Sequence, residues 1–145
     1  MAYNQITQGR ALTGDLYVED NQTGAPVVRT TKVTMTAATG AGGALAWANP
    51  TGETIIVTKL DVHISTGSGS ATIDAGVAAN ATTSNDTLID GQSTATAAVI
   101  NSAVHHGTNG LGAVPMTSSQ YITGSITGSI GSFVGTAYIS WYPTS

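Results

Sequence analysis

The stretch Glu53-Thr54-Ile55-Ile56-Val57-Thr58-Lys59-Leu60-Asp61-Val62-His63-Ile64-Ser65 decides the fold class. Ile56, Thr58, Leu60, Val62 and Ile64 fall at every second position, with Lys59, Asp61 and His63 between them. Successive side chains of a strand point to opposite faces, so this stretch reads as a strand with one apolar and one polar face. Strands of that kind belong to antiparallel sheets covered on one side only.

Outward from this strand the same period returns. Upstream, Val27, Arg29, Thr31, Val33 and Met35 share one face, and Val28, Thr30, Lys32, Thr34 and Thr36 share the other. Downstream, Ala71, Ile73, Ala75 and Val77 continue the alternation. Near the end, Ile122, Gly124 and Ile126 alternate with Tyr121, Thr123 and Ser125. Phe133, Ala137, Ile139 and Trp141 then stand against Val134, Thr136, Tyr138 and Tyr142, and these last two segments read as a hairpin. Turn residues separate the segments: Gly40 to Gly43, Asn49-Pro50-Thr51-Gly52 after the short Leu45–Trp47 segment, and Gly67-Ser68-Gly69. Thr, Val and Ile dominate while helix formers are scarce. Turn signals at intervals of about 8–12 residues predict an all-β sandwich or barrel.

Two regions are less regular. Residues 1–25 space Ile6, Leu12, Leu16 and Tyr17 loosely among Gln, Gly and Asp. They read as an extended arm or edge segment, an ordinary first strand being the alternative, ahead of a sandwich domain over 26–145. Within 79–118, Asn80 to Asp90 carries the amides, hydroxyls and acids of Asx and ST turns, with Leu88-Ile89 as an apolar anchor. Thr94 to Val104 reads equally as a helical turn or a short strand. The predicted core is Val33, Met35, Ile56, Leu60, Val62, Ile64, Ile73, Val77, Leu88, Ile122, Ile126, Phe133, Ile139 and Trp141.

Composition bounds the function. The 145 residues are 41% hydrophobic, and the charged fraction is 8%, against roughly 25% in an average soluble protein. Disordered chains pair low hydrophobicity with high net charge, and a net charge of −4 with organised apolar runs argues for a folded domain. Four Lys and Arg residues in all cannot form the basic stripe that nucleic-acid binding requires. No run approaches the roughly 20 apolar residues of a membrane helix. Met1 to Arg10 has no apolar core behind a basic head and does not read as a secretory signal. The expectation is a soluble protein made in a cytoplasm. Hydroxyl-rich surface is also less costly to cover than charged surface, which favours a life packed against other molecules.

Chemistry is hard to find. His105 and His106 are adjacent beside Gly107, in a loop, with no further donors at a spacing that would complete a zinc tetrahedron. His63 lies on the polar face of the best strand. Asp86 and Asp90 flank Thr87-Leu88-Ile89 without a calcium-loop pattern, and turn chemistry accounts for them. No Gly-x-Ser-x-Gly elbow and no phosphate-binding glycine loop is present. No cofactor, metal or enzymatic activity is predicted. Tyr121, Tyr138, Trp141 and Tyr142 gather toward the C-terminus, with Trp47 apart. Aromatics of this kind fill cores and interfaces or, as platforms, bind sugars.

The run Ala78-Ala79-Asn80-Ala81-Thr82-Thr83-Ser84-Asn85-Asp86-Thr87-Leu88-Ile89-Asp90-Gly91 bears on function. So do Gln120-Tyr121-Ile122-Thr123-Gly124-Ser125 and Gly135-Thr136-Ala137-Tyr138-Ile139-Ser140-Trp141-Tyr142. Together they resemble β-sandwich domains of tailed-bacteriophage virion proteins, above all capsid decoration (cement) proteins and related head-fibre domains. The resemblance spans roughly residues 55–142 by pattern and carries over no catalytic residue. It implies a jelly-roll-like antiparallel sandwich, often a homotrimer, bound to the major capsid protein on the outer surface of a head assembled in the host cytoplasm. The alternative it leaves is a receptor- or glycan-binding domain of a head or tail fibre. Under the first reading the N-terminal arm supplies capsid or intersubunit contacts, the candidates being Tyr3, Ile6, Arg10, Leu12, Leu16 and Tyr17. Residues 94–104 align with no element of that pattern.

Overall fold

A computed structural model of the chain describes residues 27–144. The arm expected over 1–25, with Tyr3, Ile6, Arg10, Leu12, Leu16 and Tyr17, lies outside the described residues. Within them the chain forms strands and turns with no helix. The strands are β1 (Arg29–Thr34), β2 (Leu45–Ala48), β3 (Ile55–Thr66), β4 (Thr72–Ala78) and β5 (Ile89–Ser93). β6 (Ala98–Asn101), β7 (Val114–Met116), β8 (Tyr121–Thr127) and β9 (Val134–Pro143) follow.

Two sheets share these strands. A five-stranded sheet runs β1-β9-β3-β6, with β7 also paired to β3, and a four-stranded sheet runs β2-β8-β4-β5. All strand pairs are antiparallel. The pairs nest: β4 with β5, β3 with β6, β2 with β8, β1 with β9. This is a long antiparallel ribbon rolled up so that β9 meets β3 and β8 meets β4. A ribbon rolled in this way is a jelly roll, and β7 is a short addition to it. The fold is therefore an antiparallel β-sandwich, as the alternation predicts.

The inner faces of both sheets form one apolar core. Every predicted core residue is buried except Val33, which is partly buried and packs against the core, and Ile56. Ile56 is a correction with a definite cause. The β3–β9 register shifts between Val57 and Lys59, which leaves Thr58 as an extra residue in β3. A one-residue bulge exchanges the two faces of a strand. Ile55 and Val57 therefore point inward before the bulge, and Leu60, Val62 and Ile64 after it. Ile56 is left half-buried beside Tyr142 and Pro115. A second shift leaves Ser65 extra. Each extra residue donates its hydroxyl to a β9 carbonyl: Thr58 to Ser140 at 3.1 Å, Ser65 to Val134 at 3.2 Å.

Two further expectations are settled. The segments 121–127 and 133–142 do not pair as a hairpin, because β8 and β9 belong to different sheets and the link between them crosses the sandwich. Thr94 to Val104 contains a strand, β6, followed by a turn. Ile100 faces the core there, so one apolar side chain and the β3 edge outweigh the weak local pattern.

One buried polar side chain joins two distant parts of the chain. Asn49 Nδ2 lies 2.9 Å from the carbonyl of Glu53 and 3.1 Å from those of Met116 and Thr117. Its Oδ1 accepts the amide and the hydroxyl of Thr51, each at 2.9 Å. The predicted Asn-Pro-Thr-Gly turn is thereby tied to the end of β7.

Candidate functional site

The two outer faces of the sandwich differ. On the four-stranded sheet the chain covers itself. Thr123 and Ser125 point outward from β8 yet are buried, because two loops lie over them. The hydroxyl of Thr123 donates to the carbonyl of Thr83 at 2.8 Å, and Ser125 Oγ accepts the Gly42 amide at 3.0 Å. Asx turns shape the covering loop: Asn80 Oδ1 accepts from Thr82 and Thr83, and Asn85 Oδ1 from the Thr87 amide. Thr87 Oγ1 in turn accepts the Val77 amide at 3.0 Å. The loop sits so close that a Cβ on Gly76 would run into Asn85 Oδ1 and stand 2.5 Å from Thr87 Oγ1.

The five-stranded sheet has no comparable cover among the described residues. The pairings set its outer face in rows, Lys32-Tyr138-Asp61-Asn101 and Thr34-Thr136-His63-Val99. Thr34, His63 and Val99 are exposed, and Tyr138 and Thr136 are half-buried. Lys59 Nζ pairs with Asp61 Oδ2 at 2.7 Å, and Asn101 Nδ2 donates to Asp61 Oδ1 at 2.6 Å. Thr30 and Ser140 hydroxyls lie 3.2 Å apart across β1 and β9. The result is a broad surface of hydroxyls and two tyrosines, with the Lys59–Asp61 ion pair and Lys32 as its charges. Such a surface can be covered by another protein with little loss of charge hydration.

The acids gather elsewhere. Asp74, Ser84, Asn85, Asp86 and Asp90 line an open polar depression beside the β4–β5 pair. Asp74 Oδ1 accepts the Gly91 amide at 2.7 Å, and Asp86 Oδ2 accepts Asn109 Nδ2 at 3.0 Å. Asp90 Oδ2 accepts the amides of Thr108 and Asn109 at 3.2 and 3.1 Å. The Asp74 bond ties β4 to β5, and the bonds of Asp86 and Asp90 moor the 106–110 loop, reaching across the chain where turn chemistry predicts local bonds. Among the described residues no group of three His, Cys, Asp or Glu side chains is placed to hold a metal ion.

His105 and His106 lie in a loop, as their neighbours suggest, and make separate local contacts. His105 Nδ1 accepts the Asn101 amide at 3.1 Å, and His106 Nδ1 lies 3.0 Å from the Gly107 carbonyl. His63 is exposed on the open face. The aromatics divide. Trp47, distant in sequence, stands 6.1 Å from Trp141, whose Nε1 donates to Thr31 Oγ1 at 3.1 Å. The Arg29 guanidinium lies 5.3 Å from the Trp141 ring centre. This group closes the sandwich between β1 and β2, a packing role. Tyr138 and Tyr142 remain on the open face.

Sequence reading missed Asn101 and the loop cover over Thr123 and Ser125. Asn101 matters through a cross-strand partner in another segment, and Thr123 and Ser125 look like any solvent-facing hydroxyls. In comparison with known proteins, no family, no curated protein and no solved structure matches this chain.

Proposed function

We propose that this chain is a structural virion protein, a decoration or cement protein that binds the outer surface of an assembled phage head and stabilises it. The observation that carries the reading is the asymmetry of the sandwich. Loops of the chain cover the middle of the four-stranded sheet's outer face, over Thr123, Ser125 and Gly76, whereas among the described residues no such loop covers the five-stranded sheet, whose outer face carries Thr, Ser and Tyr with few charges. The jelly-roll topology recurs in viral capsid and lectin domains, and fold alone assigns neither role. The low charge and the resemblance of residues 55–142 to decoration domains favour the capsid.

On this reading the partners are the major capsid protein and other copies of the chain, in a homotrimer, at the outer surface of a particle assembled in a host cytoplasm. Tyr3, Ile6, Arg10, Leu12, Leu16 and Tyr17 remain proposed contact residues. Binding only the assembled lattice stabilises that lattice by mass action. A second reading, a receptor- or glycan-binding fibre domain, draws on Tyr138 and Tyr142, which stand half-buried on the open face, Tyr138 in one row with Asp61 and Asn101 and Tyr142 beside Ile56.

Copy number separates the two. Quantifying the chain in purified particles should return hundreds of copies for a cement protein. Tens of copies would favour a fibre domain, and absence from particles would overturn both readings.

A further inference from the structure

We propose that Asn109-Gly110 is a deamidation site guarded by Asp86, and that reaction there releases the 106–110 loop. In an Asn-Gly pair the second residue has no Cβ to hold its amide away from the asparagine side chain, which favours attack of one on the other. The Gly110 nitrogen, on losing its proton, attacks Cγ of Asn109. A carbon–nitrogen bond closes a five-membered imide, and Nδ2 leaves as ammonia. Water then opens the imide at one of its two carbonyls, giving aspartate or isoaspartate. The net change consumes one carboxamide and one water and yields one carboxylate and one ammonium ion.

The loop cannot avoid the glycine. A Cβ at Gly110 would run into the His106 carbonyl and stand 2.5 Å from His106 Cβ. Asn109 itself is exposed to the water that the second step needs. Both reacting groups are nevertheless engaged. Asn109 Nδ2, the leaving group, donates to Asp86 Oδ2 at 3.0 Å. The attacking nitrogen carries its proton toward the His106 carbonyl, 2.9 Å away. Bringing that nitrogen onto Cγ breaks both bonds, so the moored loop reacts more slowly than a free one.

The product turns the Asp86 contact from attraction to repulsion. A donor is replaced by a carboxylate oxygen that only accepts, and it faces another carboxylate across the same gap. Asp90, whose Oδ2 accepts the Thr108 and Asn109 amides at 3.2 and 3.1 Å, adds a second negative group beside it. Isoaspartate also lengthens the main chain by one methylene and moves Gly110 out of its place against His106. The mooring between Asp90 and Leu111, whose amide donates to the Thr87 carbonyl at 2.6 Å, is loosened from the middle. Each copy reacts once, so released loops accumulate with the age of the protein, whatever shell or receptor the sandwich meets.

The test incubates the full-length protein in mildly alkaline buffer at physiological temperature, with peptide mapping by mass spectrometry and amide exchange by NMR. Asn109 should convert with time in the parent. Asp86→Ala, which removes the guard, should convert it about fivefold faster, the effect of one exposed hydrogen bond. Asp86→Asn keeps an acceptor for Nδ2 and should convert at the parent's rate. Asn109→Asp copies one product directly and should raise amide exchange at Thr108 and Leu111 about fivefold. In the Asp86→Asn background a carboxamide donates to the new carboxylate, and most of that rise should vanish. No conversion at Asn109, or a parent-like rate in Asp86→Ala, would overturn the proposal. So would an exchange rise in Asn109→Asp that is absent, or as large with Asp86→Asn as without it.

Discussion

Ser102 and Leu60 exchange two hydrogen bonds of 2.9 Å, and one of them uses a side chain where a strand ladder would use a carbonyl. The Ser102 amide donates to the Leu60 carbonyl, and Ser102 Oγ accepts the Leu60 amide. β6 has ended at Asn101, and the hydroxyl completes the pairing as the chain turns away. Both residues are fully buried, so no solvent can replace the acceptor.

Ser102→Ala leaves the Leu60 amide buried without a partner. The expected cost is about 2 kcal/mol of unfolding free energy, measured by chemical denaturation. A loss under about 0.5 kcal/mol would contradict the role assigned to this hydroxyl.

The Thr58 bulge makes a sharp contrast between neighbours. Ile56 faces outward and is half-buried, whereas Val57 is completely buried. Ile56→Lys should stay within about 1 kcal/mol of the parent, since its long stem can lie along Tyr142. Val57→Lys should prevent folding, because it places an unpaired charge in the core. Equal tolerance at the two positions would show that the bulge is misplaced.

Asn49 holds together the 49–53 turn and the end of β7. Asn49→Ala strips hydrogen-bond donors from carbonyls that are largely shut off from water, and should cost about 2 kcal/mol. Asn49→Asp cannot donate to the carbonyls of Glu53, Met116 and Thr117, so it should fare no better. Rescue by Asp would argue that the Thr51 contacts alone matter.

Gly76 lies beneath the sealing loop. Gly76→Ala should push residues 85–87 away from β4 and cost about 2 kcal/mol. Amide exchange at Val77, whose N–H is held by Thr87 Oγ1, should rise with it. Unchanged exchange at Val77 would mean that the loop absorbs a methyl group without moving.

Much of this fold is written in period-two alternation, which reports on faces and says little about sheets. The inward residues of β1, β4, β8 and β9 were legible because each alternates without interruption. Ile56 was not, because a bulge depends on the register with β9 and leaves no mark on the local pattern around Thr58. The false hairpin of β8 and β9 has the same origin: sequence proximity suggested pairing, while rolling the ribbon placed the two strands in opposite sheets. The open face was equally hidden. Thr123 and Thr136 are both outward-facing threonines, and only the position of the 80–87 loop buries one and leaves the other accessible. The histidine pair looked inert because each ring meets only a main-chain group of a near neighbour, Asn101 for His105 and Gly107 for His106.

The central claim is that this sandwich attaches to an assembled shell. Purified chain titrated onto capsids that lack it tests this most directly, with bound copies counted and the temperature of genome release recorded. The account predicts saturable binding at a fixed number of copies per lattice, no binding to unassembled capsid subunits, and a higher release temperature on saturation. Capsids that bind none of the chain, or that release their genome at the same temperature when saturated with it, would contradict the account.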